Sequence, residues 1–205
     1  MNVNCNSSSL KDHLEKQLLE LSTLAKNNIK LLNNENLCLV QQFEGMKNVM
    51  VDIITTAASY YLNCYLTPYT SKYEDLTISI QNLSKRKHGA LIVVERKDKL
   101  DSLLQANIPI GGTLSHALIE SIFYPGNPLH DGAVLIRSET VVSAANVLPL
   151  SNINVTDKKL GTRHRAAIGL TERSDALVLV VSEETGQASF AIDGALHPIN
   201  VTTTK

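Results

Sequence analysis

"GALIVVER", residues 89–96, decides the architecture. Its apolar run is β-branched, too short for an ordinary helix, and bounded by a glycine and a charged pair, so it reads as a strand. Working outward, "AVLIR" (133–137) and "TVVSAANVL" (140–148) read as two strands joined by a short polar turn. "ALVLVVSE" (176–183) and "QASFAID" (187–193) read as a hairpin around "ETG". Between them, "TLSHALIESIFY" (113–124) reads as a helix with Thr113 as N-cap, and "RHRAAIGLTER" (163–173) as a second helix with Thr162 as N-cap. From about Tyr69 onward the texture is α/β.

The first third differs. "SLKD", Ser9 to Asp12, fits capping-box spacing, and Leu10, Leu14, Leu18, Leu21 and Ala25 follow as an apolar stripe at helical spacing. "NNEN", 33–36, reads as a turn. A second helix is expected from about Leu37 to Leu66, loosened near Gly45 and ended by Pro68. The result is a helical hairpin over residues 1–66, an α/β domain over 69–198 and a tail over 199–205. Such a hairpin cannot bury its apolar faces alone. It is expected to pack on the rest of the chain or on another copy. Tyr60, Tyr61, Tyr65, Tyr69 and Tyr73 are read as its packing surface, with ligand stacking as the alternative.

Composition narrows the class. A formal net charge of -1 gives no bulk field toward nucleic acid or an anionic membrane, so any anion site must be local. "VMVDIITTAASYYLNCYL", 49–66, is barely long enough to span a bilayer and is interrupted by Asp52 and Asn63, so a buried or interface helix is expected. No secretory signal is seen, and the protein is expected to be soluble and cytoplasmic. Cys5, Cys38 and Cys64 are odd in number and form no CxxC, so they are read as free thiols in a reducing cytosol.

Two short motifs carry chemistry. In "GTRHRAA", 161–167, Arg163, His164 and Arg165 stand at a helix start. Successive residues there are about 100° apart, which sets the two arginines about 200° apart. Cations in the first turn oppose the helix dipole at a few tenths to about 1 kcal/mol each. An anion at the terminus reverses that balance, because N–H groups, dipole and guanidinium forks then act together, and phosphate fits best. Surface arginines at a plain helix start are the competing reading. In "PGNPLHDGAVLI", 125–136, a loop leads into a buried strand. Gly132 lets backbone approach a ligand closely. Asp131 offers a carboxylate suited to Mg²⁺ or Mn²⁺ or to a substrate hydroxyl. Asp-Gly is also a common turn dipeptide, and His130 is a half-buried loop histidine or a metal ligand. A third element, "SEETG" (182–186), is either a polar hairpin turn or a place where Ser182 meets phosphate and Glu183 or Glu184 a divalent ion.

"LHDGA", "GTRHRAA" and "VVSEETG" together resemble the diadenylate cyclase (DAC) family over about residues 70–198. The hairpin without membrane spans is similar to the soluble, spore-associated subclass. The resemblance implies an α/β fold with a mixed central β-sheet flanked by helices, preceded by the N-terminal α-helical hairpin. It implies condensation of two ATP into cyclic di-AMP and two pyrophosphates, with Mg²⁺ or Mn²⁺. Asp131 takes the place of the catalytic aspartate and metal ligand, Glu184 matches the family's "SEE" segment, and His130 and Glu184 are read as candidate further metal ligands. Gly132 and Ala133 would contact the nucleotide through backbone. Thr162, Arg163, His164 and Arg165 would cradle the triphosphate, Leu148 would line the adenine pocket, and Ser182 would bind nucleotide. Membrane-bound relatives often carry an aromatic where this chain has Val147. The symmetry of the product implies a homo-oligomer with face-to-face catalytic dimers, and the hairpin is expected to hold copies in an assembly that limits that contact. A nucleotide sensor without turnover and a structural oligomer are the competing classes.

Overall fold

The computed structural model describes residues 8–32, 39–152 and 160–200. In chain order the elements are α1 (Ser8–Leu31), α2 (Leu39–Leu66), α3 (Tyr73–Arg86), β1 (Ala90–Val94), β2 (Ile108–Thr113), α4 (His116–Ile122), β3 (Ala133–Arg137), β4 (Thr140–Asn146), α5 (Thr162–Thr171), β5 (Leu177–Val181), β6 (Ala188–Ile192) and β7 (Ala195–Ile199). The strands form one 7-stranded sheet in the order β2-β4-β3-β1-β5-β6-β7. β1 runs parallel to β3 and antiparallel to β5, so the sheet is mixed, as expected.

Alternation along the central strands feeds two cores. Ala90, Ile92 and Val94 join Val134, Ile136, Leu177 and Leu179 beneath α3, α4 and the end of α2. Leu91 and Val93 join Leu135, Val178 and Val180 beneath Ala166, Ala167 and Leu170 of α5. The domain is therefore a sheet between two helical layers, which is why β1 is apolar on both faces.

The hairpin divides its apolar surface. Ala58, Leu62 and Leu66 of α2 are buried in the first core. Tyr61 and Tyr65 stack with centroids 6.2 Å apart, Tyr65 meets the edge of Phe190 at 6.1 Å, and Tyr69 lies under the Arg96 guanidinium at 4.8 Å. These contacts match the packing role read for the tyrosines. Asn200 N–H donates to Ser59 Oγ at 2.9 Å. The rest of the hairpin leaves Leu18, Leu19, Val40, Phe43, Met50 and Ile54 exposed.

Several expectations are corrected. α2 runs unbroken through Gly45, since one glycine costs a helix only about 1 kcal/mol. α4 is capped by Ser115, whose hydroxyl accepts from Leu118 N–H, while Thr113 is the last residue of β2. α5 begins at Thr162 itself, and its N-cap is Gly161, in extended backbone without a side-chain cap. Cys64 is disulfide-bonded rather than free. Cysteine count and spacing speak to compartment, whereas a bond needs only two close, well-aimed side chains. The "NNEN" turn, the Ser9 side chain, Cys5 and Cys38 lie outside the described residues.

α3, β2 and β7 were not read from the sequence. α3 buries Leu76, Ile80 and Leu83 and ends on Lys87 at φ 54°, a left-handed position where glycine would have been the visible signal. Asp193 and Gly194, both at positive φ, form the tight turn into β7 that an Asp-Gly dipeptide favours.

α5 is held close to the loop after β4. A Cβ on Gly169 would sit 2.3 Å from Pro149 O and 2.4 Å from Ser151 N. Gly169→Ala is expected to lower the unfolding free energy by about 1–3 kcal/mol in urea titrations. Gly45→Ala, with nothing within 4 Å of the added Cβ, is expected to raise it by up to about 1 kcal/mol.

Candidate active site

The sheet gathers the motifs at one end. Ile92 lies opposite Val134, so continuing the register sets Gly132 beside Ala90, and Ala90 lies opposite Val181. Two strand spacings, about 10 Å, therefore separate the Asp131 loop from the Ser182 turn. β4 is antiparallel to β3 with Asn146 opposite Ala133, which brings Val147 and Leu148 to the same end.

Gly132 adopts φ +110°, and a Cβ there would fall 2.8 Å from Ala145 C and 2.9 Å from Asn146 O. The close approach that demands glycine is that of β4, not of an open ligand face. Asn146 reinforces it by donating from Nδ2 to Ala133 O at 2.7 Å, and Ala133 is fully buried. Asp131 is exposed at the mouth of β3. His130 is half-buried and donates from Nδ1 to Asn127 O at 2.5 Å. With Nδ1 engaged by that carbonyl, Nε2 is the ring nitrogen open to another partner.

A cavity of about 650 Å³ lies between α5 and the turn after β5, lined by Thr162, Arg163, His164, Ser182, Glu183 and Glu184 among others. Arg163 Nη1 donates to Glu183 Oε2 at 2.8 Å. Burial, then the neighbouring Arg163 charge, holds His164 below the ordinary histidine range, against a smaller pull from Glu184. Ser182 Oγ accepts from Thr185 N–H at 3.2 Å, which closes the turn and leaves its O–H free to donate outward. This bond is what the polar-turn reading of "SEETG" expects.

Arg165 departs from the cradle. It is not among the lining residues, and its Nη2 donates instead to Ser151 O at 3.2 Å. The cause is the angle noted from the sequence: two residues on, a helix has turned by about 200°. Ser151 is buried and also donates from N to Arg165 O at 3.0 Å and from Oγ to Glu172 Oε1 at 2.7 Å. Leu148 is 6% exposed and packs in the core beneath α5, whereas Val147 beside it is 54% exposed. The sequence reading passed over Gly89. A Cβ there would lie 2.5 Å from Arg163 Nη1 and 2.8 Å from Arg163 Cζ. A glycine immediately before a buried strand was the available signal.

Among the described residues no group of three or more His, Cys, Asp or Glu could hold a metal ion. The donors at this end are a carboxylate on Asp131, the His130 Nε2 and the acidic pair Glu183–Glu184. They stand on two loops about 10 Å apart and do not form one coordination set, so a hard divalent cation held at either loop would complete its shell with substrate phosphates and water.

A mixed sheet whose one end carries a basic helix start, an exposed aspartate and an acidic turn is the frame of a nucleotide-binding catalytic domain. Residues 77–196 match the family described as DisA bacterial checkpoint controller nucleotide-binding, and residues 1–69 match the one described as diadenylate cyclase CdaS, N-terminal. The chain belongs to the diadenylate cyclase family of nucleotidyltransferases. It is 48% identical over 196 residues to the diadenylate cyclase CdaS of Bacillus thuringiensis, covering 94% of this chain and 98% of that relative. It is 49% identical over 171 residues to the cyclic di-AMP synthase CdaS of Bacillus subtilis, covering 83% and 82%. Among solved structures it is similar to a Bacillus cereus protein described as a hypothetical membrane spanning protein, at TM-score 0.75, 47% identity and 94% coverage of both chains. It is also similar to a DacA double mutant from Staphylococcus aureus, at TM-score 0.59 and 42% identity, covering 61% of this chain and 83% of that one. Among the described residues no helix is long and apolar enough to cross a membrane.

His164 gives a signed pH prediction. Its folded pKa lies below the unfolded value of about 6.5, so the unfolded chain binds the proton first as pH falls. Stability is expected to decline as pH drops below about 6.5, and His164→Gln should flatten that decline in urea melts taken from pH 7.5 to 5.5.

Proposed function

We propose that the chain condenses two ATP molecules into cyclic di-AMP and two pyrophosphates at this end of the sheet. The observation that carries the proposal is a cavity lined by Arg163, His164, Ser182 and Glu184 at the same end of the sheet as the exposed Asp131, which stands outside that lining, about two strand spacings away. In each half-reaction a ribose 3′-oxygen attacks the α-phosphorus of the other nucleotide. The bond from that phosphorus to the pyrophosphate oxygen breaks, and the hydroxyl proton leaves. Asp131 aligns the hydroxyl and accepts its proton. Thr162 and Arg163, with the α5 N–H groups, neutralise charge on the phosphates and on the leaving pyrophosphate. His164, held neutral, donates a hydrogen bond without adding a second charge beside Arg163. Ser182 donates its free O–H to a phosphate oxygen.

Mg²⁺ or Mn²⁺ would be held by Asp131 together with substrate phosphates and water, and would supply charge neutralisation at the phosphates, while Glu184, on the far loop, would face the phosphates from the other side. Gly132 and Ala133 shape the wall against which the nucleotide lies. Leu148 supports the adenine side from beneath, and the exposed Val147 offers apolar contact in place of an aromatic. Arg165 acts by fixing the Leu148–Ser151 loop through Ser151 rather than by touching the triphosphate of its own protomer.

Cyclic di-AMP has two equivalent halves, so one nucleotide per domain requires two domains face to face about a two-fold axis. Specific activity is expected to fall on dilution, as measured by pyrophosphate release across a series of protein concentrations. The residues 1–66 hairpin, with its exposed leucines, Phe43 and Met50, would assemble copies and limit that face-to-face contact in the cytoplasm. Deleting residues 1–60 should then raise turnover per chain, and a folded but slower truncation would sink the restraint.

Asp131→Asn is expected to lower cyclic di-AMP formation by at least about a thousandfold, read by mass after incubation with ATP and Mn²⁺, without loss of the folded state. Product from the variant at the wild-type rate would remove Asp131 from the chemistry.

A further inference from the structure

The guanidinium of Arg163 is held from two sides. On one side its Nη1 donates to Glu183 Oε2 at 2.8 Å. On the other it lies against the backbone of Gly89, so closely that an added Cβ would stand 2.5 Å from Nη1 and 2.8 Å from Cζ. The same Cβ would stand 3.0 Å from Glu183 Cβ, so the glycine, the arginine and the glutamate form one packed unit. The Arg163 side chain is 25% exposed and the Glu183 side chain 66%. An arginine has five N–H donors, and this pairing engages Nη1 alone, leaving the remaining edge of the fork for an oxyanion.

We infer that Gly89 and Glu183 are positioning residues that set the Arg163 fork toward the phosphates. Neither touches substrate in this account. Gly89 supplies space, because any side chain on it would occupy the volume of the guanidinium. Glu183 supplies the direction, because a long flexible side chain otherwise spreads over several rotamers. Glu183 also offsets the cost of a cation in the first turn of α5 before any phosphate arrives. The inference deepens the proposed function and rests on Arg163 as a phosphate ligand.

The test is a double-mutant cycle on the full chain. Arg163→Ala, Gly89→Ala and the double variant are compared in kcat/KM for ATP with Mn²⁺, and in affinity for inorganic pyrophosphate by calorimetry. The nearest clash in Gly89→Ala is with the far end of a flexible side chain, so its melting temperature should stay near that of the wild type. Gly89→Ala is expected to lower kcat/KM and pyrophosphate affinity by about tenfold or more in the wild-type background, and by less than about twofold once Arg163 is alanine. An equal loss in both backgrounds, or no loss in the wild type, overturns the inference. Glu183→Gln runs the same cycle and decides the matter if Gly89→Ala fails to fold. An Arg163→Ala protein with full activity and full pyrophosphate affinity would instead remove the phosphate reading of the site itself.

Discussion

Strand β1 is buried on both faces and hydrogen-bonded along both edges. Slipping it by one residue would exchange the side chains facing α3 and α4 for those facing α5 and would break two ladders at once. That constraint fixes which residues emerge at the catalytic end. Gly89 precedes β1, Gly132 precedes β3 beside it, and Ser182 follows β5 directly across it. Motifs more than ninety positions apart in the chain are neighbours because one strand cannot shift.

The close approaches at this end share a physical theme. Gly132 admits the backbone of β4, Gly169 admits the Pro149–Ser151 loop, and Gly89 admits a guanidinium. Each removes a Cβ so that something else can occupy its volume. In the first two the neighbour is main chain, which cannot yield, and the effect is on architecture. In the third the neighbour is the tip of a side chain, and the effect falls on the direction of a charge. The same substitution therefore acts on folding at one place and on chemistry at another.

Much of this was legible in the chain. The apolar β-branched runs marked β1, β3, β4 and β5, the turn at "ETG" added β6, and the basic triplet marked the start of α5. The combination of Asp131, the RHR triplet and the acidic turn carried the family resemblance. The missed elements lacked ordinary punctuation. α3 ends on a left-handed lysine rather than on a glycine that would have marked its end, and β2 is an edge strand containing Pro109 and paired glycines. β7 holds Pro198, although the Asp193-Gly194 turn before it was a usable signal. The divergence of Arg165 followed from helix geometry, but its destination did not, because Ser151 reaches it through a loop whose path no local pattern encodes. The disulfide at Cys64 was likewise beyond spacing arguments.

The acidic turn is anchored from the far side of the sheet. Ser84, in the last turn of α3, donates from Oγ to Gly186 O at 2.6 Å, and a Cβ on Gly186 would stand 2.7 Å from Ser84 O. α3 belongs to the layer opposite α5, so the two walls of the cavity answer to different helical layers. The width of the gap between them is then a thickness, set by how far apart the sheet holds its two coverings. Expanding either core would open or close the cavity mouth like a change of shim, with every residue that lines it left untouched.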